Sequence, residues 1–157
     1  LICAAKLPER ARVLDVGSGA GFPAIPIKIY HPEVETQLLE PNRKRANFLK
    51  HLRRVLGLTG FQVSRQRLEE HEKDNRGAYE VITARAVMSP LALVALCSHL
   101  LRREGFLVIF LGEKKARLHA TLMEKASSEG LILRQLLRYT LPGLQTNRHL
   151  AFFQKHD

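Results

Sequence analysis

The segment Val13-Leu14-Asp15-Val16-Gly17-Ser18-Gly19-Ala20-Gly21-Phe22 constrains this chain more than any other stretch of it. A short apolar run carries a carboxylate near its end, three glycines then alternate with small residues, and apolar positions of helical spacing continue to Tyr30 despite Pro23 and Pro26. Strand, tight loop, helix is the natural reading, because proline is tolerated in a first helical turn whose amides have no intrahelical acceptor. Glycine is needed wherever backbone must turn sharply and lie against a ligand, since a Cβ would block both.

The elements that follow alternate. Thr36 to Leu39 reads as a second strand closed by Glu40, and Phe61 to Ser64 as a third. Between them Ala46, Leu49, Leu52 and Leu56 recur at spacings of three and four, which predicts an amphipathic helix over Arg43 to Leu56 with Gly57 ending it. Its Arg43, Lys50 and Arg54 fall elsewhere on the wheel and make a basic outer side. Arg67 to Gly77 is polar and predicted irregular with at most a short helix, and Tyr79 to Thr83 is a fourth strand. Pro90 to Leu101 is an apolar helix, Gly105 to Leu111 a fifth strand, and Lys114 to Ser128 a polar helix with Leu118, Leu122 and Ala126 inward. Leu131 to Thr140 and His149 to Phe153 close the chain as two antiparallel strands joined through Pro142 and Gly143. This order predicts an α/β fold, a mostly parallel seven-stranded sheet with helices on both faces and an antiparallel C-terminal strand. The 157 residues, 45% hydrophobic, suit one core, so residues 1–157 are expected to form a single domain.

What the loop binds follows from its charges. A dinucleotide site wants G-x-G-x-x-G presenting amides to a pyrophosphate, whereas this loop reads G-x-G-x-G with Asp15 beside it. A carboxylate there repels a pyrophosphate and suits the ammonium and sulfonium charges of S-adenosylmethionine. Glu40, 25 residues later at the tip of strand two, stands where a carboxylate can accept both ribose hydroxyls. A methyl donor is therefore favoured over NAD.

Twenty-five Lys and Arg against fifteen Asp and Glu give a net charge of +10 and a pI near 10.1, a balance suited to a polyanionic partner. Cys3 and Cys97 are far apart and lack a companion His at ligand spacing, so no disulfide framework or metal site is expected. With no apolar run long enough to span a bilayer and no signal-peptide layout, the expected setting is the cytoplasm, without membrane attachment.

Five segments between Arg12 and Lys155 resemble the RsmG (GidB) family of 16S rRNA guanine-N7 methyltransferases. They are Asp15 to Pro23, Lys44-Arg45 with Phe48-Leu49, Arg67 to Glu70, Thr83-Ala84-Arg85-Ala86, and Arg148-His149-Leu150. The Thr-Ala-Arg-Ala segment is the most specific, since class I methyltransferases at large do not share it. The resemblance implies a Rossmann-like class I methyltransferase fold, S-adenosyl-L-methionine as donor, and a guanine of small-subunit ribosomal RNA, free or in a 30S particle, as acceptor. Carried over by motif, Gly17, Gly19, Gly21 and Phe22 would line the donor with Asp15, Leu68 and Glu69 would flank its adenine, and Arg85 would lie beside the site. Glu40 would hold the ribose where the family usually places Asp. Family members commonly begin with helices before strand one, which are expected to be missing here, and carry a Lys where this chain has Leu111; Lys114 or Lys115 is the nearest substitute in sequence.

Guanine N7 carries a lone pair and no proton, so methyl transfer to it needs alignment rather than a general base. The chain correspondingly lacks the Asn/Asp-Pro-Pro-Tyr/Phe segment of amino-group methyltransferases and the Pro-Cys nucleophile of cytosine-C5 enzymes. Arg85 is the candidate substrate-positioning residue, its fork of donors matching a phosphate or a guanine edge, with a structural ion pair to Asp15 or Glu40 as its alternative. Arg43, Lys50, Arg54 and Arg148 are candidate RNA contacts. A monomer is expected. Two other functions stay open: methyl transfer to a protein or small molecule, and a non-catalytic RNA-binding relic of the fold.

Overall fold

The computed structural model describes residues 7, 10–112, 119–141, 143 and 146–156. In chain order the elements are β1 (Arg12–Val16), α1 (Ala24–Tyr30), β2 (Glu35–Leu39), α2 (Arg43–Val55), β3 (Phe61–Ser64), α3 (Leu68–Glu72), β4 (Tyr79–Arg85), α4 (Pro90–Leu100), β5 (Leu101–Gly112), α5 (His119–Ser128), β6 (Leu131–Tyr139) and β7 (Arg148–Lys155). The strands form one seven-stranded sheet in the order β3-β2-β1-β4-β5-β7-β6. Pairings through β5 are parallel, and β7 runs antiparallel to both of its neighbours.

Alternation along each strand sends side chains to two cores. Leu14, Val16, Ile82, Ala84, Leu107 and Ile109 meet Leu93, Val94 and Cys97 of α4 and Leu122 and Ala126 of α5. On the opposite face Val13, Val81 and Val108 pack with Ile27 of α1, and Leu38 and Phe61 pack with Leu49 of α2. The helices therefore cover both faces, as the strand–helix alternation predicts.

Helix α2 starts where the sequence says it should. Asn42 is its cap, its side chain accepting from the amides of Lys44 (3.0 Å) and Arg45 (3.2 Å), and Ala46 and Leu49 are the residues it buries. Four boundaries differ from expectation by two residues or more. α1 begins at Ala24 rather than Phe22, because the turns of the glycine loop continue through Pro23. β4 extends past Thr83 to Arg85, pairing Arg85 with Phe110 of β5. β5 begins at Leu101 rather than Gly105, and Arg102-Arg103-Glu104 disguised it because that stretch is solvent-facing and polar. The sheet is irregular there: the β4–β5 register shifts between Tyr79 and Val81, and Glu104 adopts φ 63°. Gly105 follows, where a Cβ would lie 2.9 to 3.1 Å from the carbonyl oxygens of Arg102, Glu80 and Tyr79. β7 runs on to Lys155, two residues beyond Phe153. Lys114 to Leu118 of the helix expected over Lys114 to Ser128, and Pro142, lie outside the described residues.

Candidate functional site

The chain winds outward in one direction from β1 through β2 to β3 and in the other from β4 through β5, so the crevice above the carboxyl ends of β1 and β4 is the topological switch point. The glycine loop, Glu40 and Arg85 lie there, at the carboxyl ends of β1, β2 and β4. Gly17 and Ser18 donate their amides to the Leu39 carbonyl at 2.8 and 3.2 Å, tying the loop after β1 to the end of β2. Glu40 is buried and turned toward the loop: Oε2 accepts the Gly19 amide and Oε1 the Asn42 amide, each at 2.9 Å. Each of these oxygens has a further lone pair.

Asp15 is 1% exposed. Its Oδ1 accepts a 2.6 Å hydrogen bond from the Thr83 hydroxyl, directly across the β1–β4 pairing, while its Oδ2 is buried with no hydrogen-bond partner among the described residues. Burial pushes its pKa from 3.8 up to about 6, partly offset by hydrogen bonding and by the positive charge of Arg85. A buried carboxylate with one unsatisfied oxygen is the kind of group a cationic ligand would satisfy.

The three loop glycines do different things. Gly17, at φ 67°, lies under Val87, whose Cγ2 would be 2.3 Å from an added Cβ. Gly19, at φ 56°, has only the Gly17 carbonyl oxygen, at 3.9 Å, near that position, so its Cα faces open space beside Glu40. Gly21 is a packing glycine, since a Cβ there would meet Ile25 at 2.3 Å and Leu49 at 3.1 Å. The loop thus leaves open backbone at Gly19, while Gly17 seats Val87 and Gly21 seats α1 and α2.

The Thr-Ala-Arg-Ala segment becomes intelligible residue by residue. Thr83 holds Asp15, Ala84 fills the core, Arg85 emerges exposed at the end of β4, and Ala86 takes the left-handed conformation at φ 53° that swings Val87 onto Gly17. No ion pair links Arg85 to Asp15 or Glu40 among the described residues, and the residue is exposed. Thr83 and Val87 were not identified from sequence as contacts of Asp15 and Gly17, because strand register and the turn after β4 leave no mark in composition or spacing.

The remaining candidates divide. Phe22 is 56% exposed next to the loop. Leu68 sits at the start of α3, but its side chain is in the core at 3% exposure, so any contact it makes with a bound group runs through its main chain. Glu69 is exposed in the first turn of the same helix. Arg148 opens β7 opposite Gly112, at the carboxyl edge of β5, and its Nε is buried with no hydrogen-bond partner among the described residues. Leu111 is a core residue rather than a site residue, and Lys114 and Lys115 lie outside the described residues. Arg43, Lys50 and Arg54 are exposed on α2. Cys97 is fully buried, which pushes its thiol well above the usual range and removes it as a nucleophile. No group of three or more His, Cys, Asp or Glu side chains that could hold a metal occurs among the described residues, and no described helix is long and apolar enough to cross a membrane.

Residues 2–150 match the family model described as GidB, rRNA small subunit methyltransferase G. The chain belongs to this family. Among relatives in the rRNA small subunit methyltransferase G family, the Halalkalibacterium halodurans protein is 35% identical over 147 residues, which are 92% of this chain and 62% of the relative. A Helicobacter pylori relative is 42% identical over 101 residues, 64% of this chain and 56% of its own. The chain therefore spans less than two thirds of the length of these relatives. Solved structures share the fold at low identity. A protein described as a putative sarcosine dimethylglycine methyltransferase from Galdieria sulphuraria superposes with a TM-score of 0.78 at 14% identity, covering 99% of this chain and 82% of its own. TYW2 of M. jannaschii, solved in complex with AdoMet, superposes at 0.76 and 17% identity, covering 97% and 72%.

Proposed function

We propose that this chain transfers a methyl group from S-adenosylmethionine to N7 of a guanine in small-subunit ribosomal RNA. The observation that carries the donor assignment is the Asp15 carboxylate, buried with an unsatisfied Oδ2 beside a glycine loop whose Gly19 amide is held by a second carboxylate, Glu40. Asp15 and Glu40 together favour a positively charged nucleoside and disfavour an anionic dinucleotide. Gly17, Gly19 and Phe22 would line that group, with Glu69 and the main chain of Leu68 near its base. When bound, S-adenosylmethionine supplies a methyl group activated by its sulfonium.

The chain's own contribution is positioning. Guanine N7 has no proton to remove, so the reaction asks the crevice for alignment, and Asp15, bonded through Oδ1 to Thr83, keeps Oδ2 for the donor's positive charge. Arg85 and Arg148 bring two guanidinium groups to the carboxyl edge of neighbouring parts of the sheet, suited to phosphate or to a guanine edge. Family membership and the +10 charge support RNA over a protein or small molecule. The same reading takes residues 1–157 as one domain acting as a monomer in the cytoplasm, on free rRNA or on a 30S particle.

The test has two arms. Calorimetric titration should show S-adenosylmethionine binding to the wild type and none to Gly17→Val, which would force a side chain into Val87 at a left-handed backbone position. Labelled donor incubated with 30S subunits lacking the modification should place label on a guanine, mapped by nuclease digestion. Label on protein, or no donor binding by the wild type, would overturn the proposal.

A further inference from the structure

Helix α2 carries six Lys and Arg, no Asp or Glu, and two exposed rings, Phe48 and His51, a combination that its own stability does not explain. Arg43, Lys44 and Arg45 occupy the first turn, where the helix dipole disfavours cations, and no acidic residue is present there to compensate. Lys50, Arg53 and Arg54 add like charges at spacings of three and four, which repel along a helix face. A solvated helix face ordinarily mixes signs. Local rules broken in this way, without a local gain, mark surfaces kept for a partner.

Two parallel rows make up the exposed side. Arg43, Asn47, Lys50 and Arg54 follow one another at intervals of four, three and four, and so do Lys44, Phe48, His51 and Val55 beside them; all eight are exposed, whereas Ala46 and Leu49 face the sheet. Phe48 is 46% exposed and Val55 65%. The aromatic row also adjoins the crevice. Leu49 lies so close to Gly21 that an added Cβ there would be 3.1 Å away, so Phe48 and the exposed Phe22 are each one residue along the chain from that contact.

We infer that this helix face is a binding surface for an unpaired loop of the RNA, in which Phe48, with His51 beside it, stacks on bases while Arg43, Lys50 and Arg54 hold phosphates. The inference rests on the reading of RNA as acceptor and adds base stacking to it. Cations alone would suit any polyanion, including an acidic protein. Exposed rings in register with them suit unstacked bases, because every base has a π-face and a paired helix hides it.

Anisotropy of a labelled RNA hairpin, titrated with the protein at several salt concentrations, tests this. Phe48→Ala should weaken binding about tenfold, the loss of one stacked base, while leaving the slope of log affinity against log salt unchanged; Phe48→Trp should bind like the wild type. Arg43→Gln and Lys50→Gln should each reduce that slope by about one, as expected for a lost phosphate contact. The proposal fails if Phe48→Ala stays within twofold of wild type, if it weakens a fully paired RNA duplex equally, or if polyglutamate displaces the hairpin as well as unlabelled hairpin does. S-adenosylmethionine titration of the same proteins keeps the two readings apart: wild type that binds donor but no RNA sinks the stacking surface alone, and wild type that binds neither sinks both.

Discussion

Asp15 shows at the scale of one residue what a buried carboxyl costs the fold. Its pKa is raised from 3.8 to about 6 because burial penalises the charged form, so the folded protein holds this proton more tightly than the unfolded chain does. The resulting stabilisation is full below pH 3.8 and lost as pH rises through about 6, leaving a neutral solution with the desolvation cost of the anion. In Asp15→Asn, whose side-chain oxygen can still accept from Thr83, the fall in stability between pH 4 and pH 7 should shrink by about 2–3 kcal/mol, as a shift of this size implies. Melting curves at the two pH values check this, and identical pH dependence in both proteins would refute it. The same variant should lose affinity for S-adenosylmethionine. Asp15 and Glu40 were legible in the sequence because each is fixed by spacing to a glycine loop or a strand end. The Thr83–Asp15 hydrogen bond was not, since it depends on how two strands 68 residues apart align. The burial of the Leu68 side chain was not legible for a related reason: a motif identifies the residue and does not say whether side chain or main chain faces the ligand.

Among the elements, α2 was the most legible and β5 the least. A three-and-four apolar spacing is repeated often enough in α2 to fix the face, and the structure adds the Asn42 cap that sets its start. β5 hides its first turn of chain because its polar opening pairs only at Tyr79 before the register shifts, a tertiary effect with no local signal. Asn42 matters more than an ordinary cap because three cations follow it and no acidic side chain shares the task. Asn42→Ala should lower stability by about 1 kcal/mol, seen as a fall of roughly 2–4 °C in melting temperature for a chain of this size. A change of less than half a degree would mean that the two amides find other acceptors.

Across the whole molecule, one sheet hydrogen-bonded from β3 to β6, with α1 and α2 on one face and α3, α4 and α5 on the other, should unfold as one unit. Far-ultraviolet circular dichroism and tyrosine fluorescence should therefore give coincident urea transitions, and two separated midpoints would argue against a single domain. The overall positive charge acts at this scale as well, drawing polyanions from a distance that no single contact can reach. The two rims of the sheet have their own consequence. One is β3, only four residues long; the other is β6, which is bulged between Leu133 and Gln135 and carries exposed Arg134 and Arg138. A second copy meeting either rim finds too little ladder to extend or a bent one studded with like charge, so crowding this protein leaves a fibre no place to start.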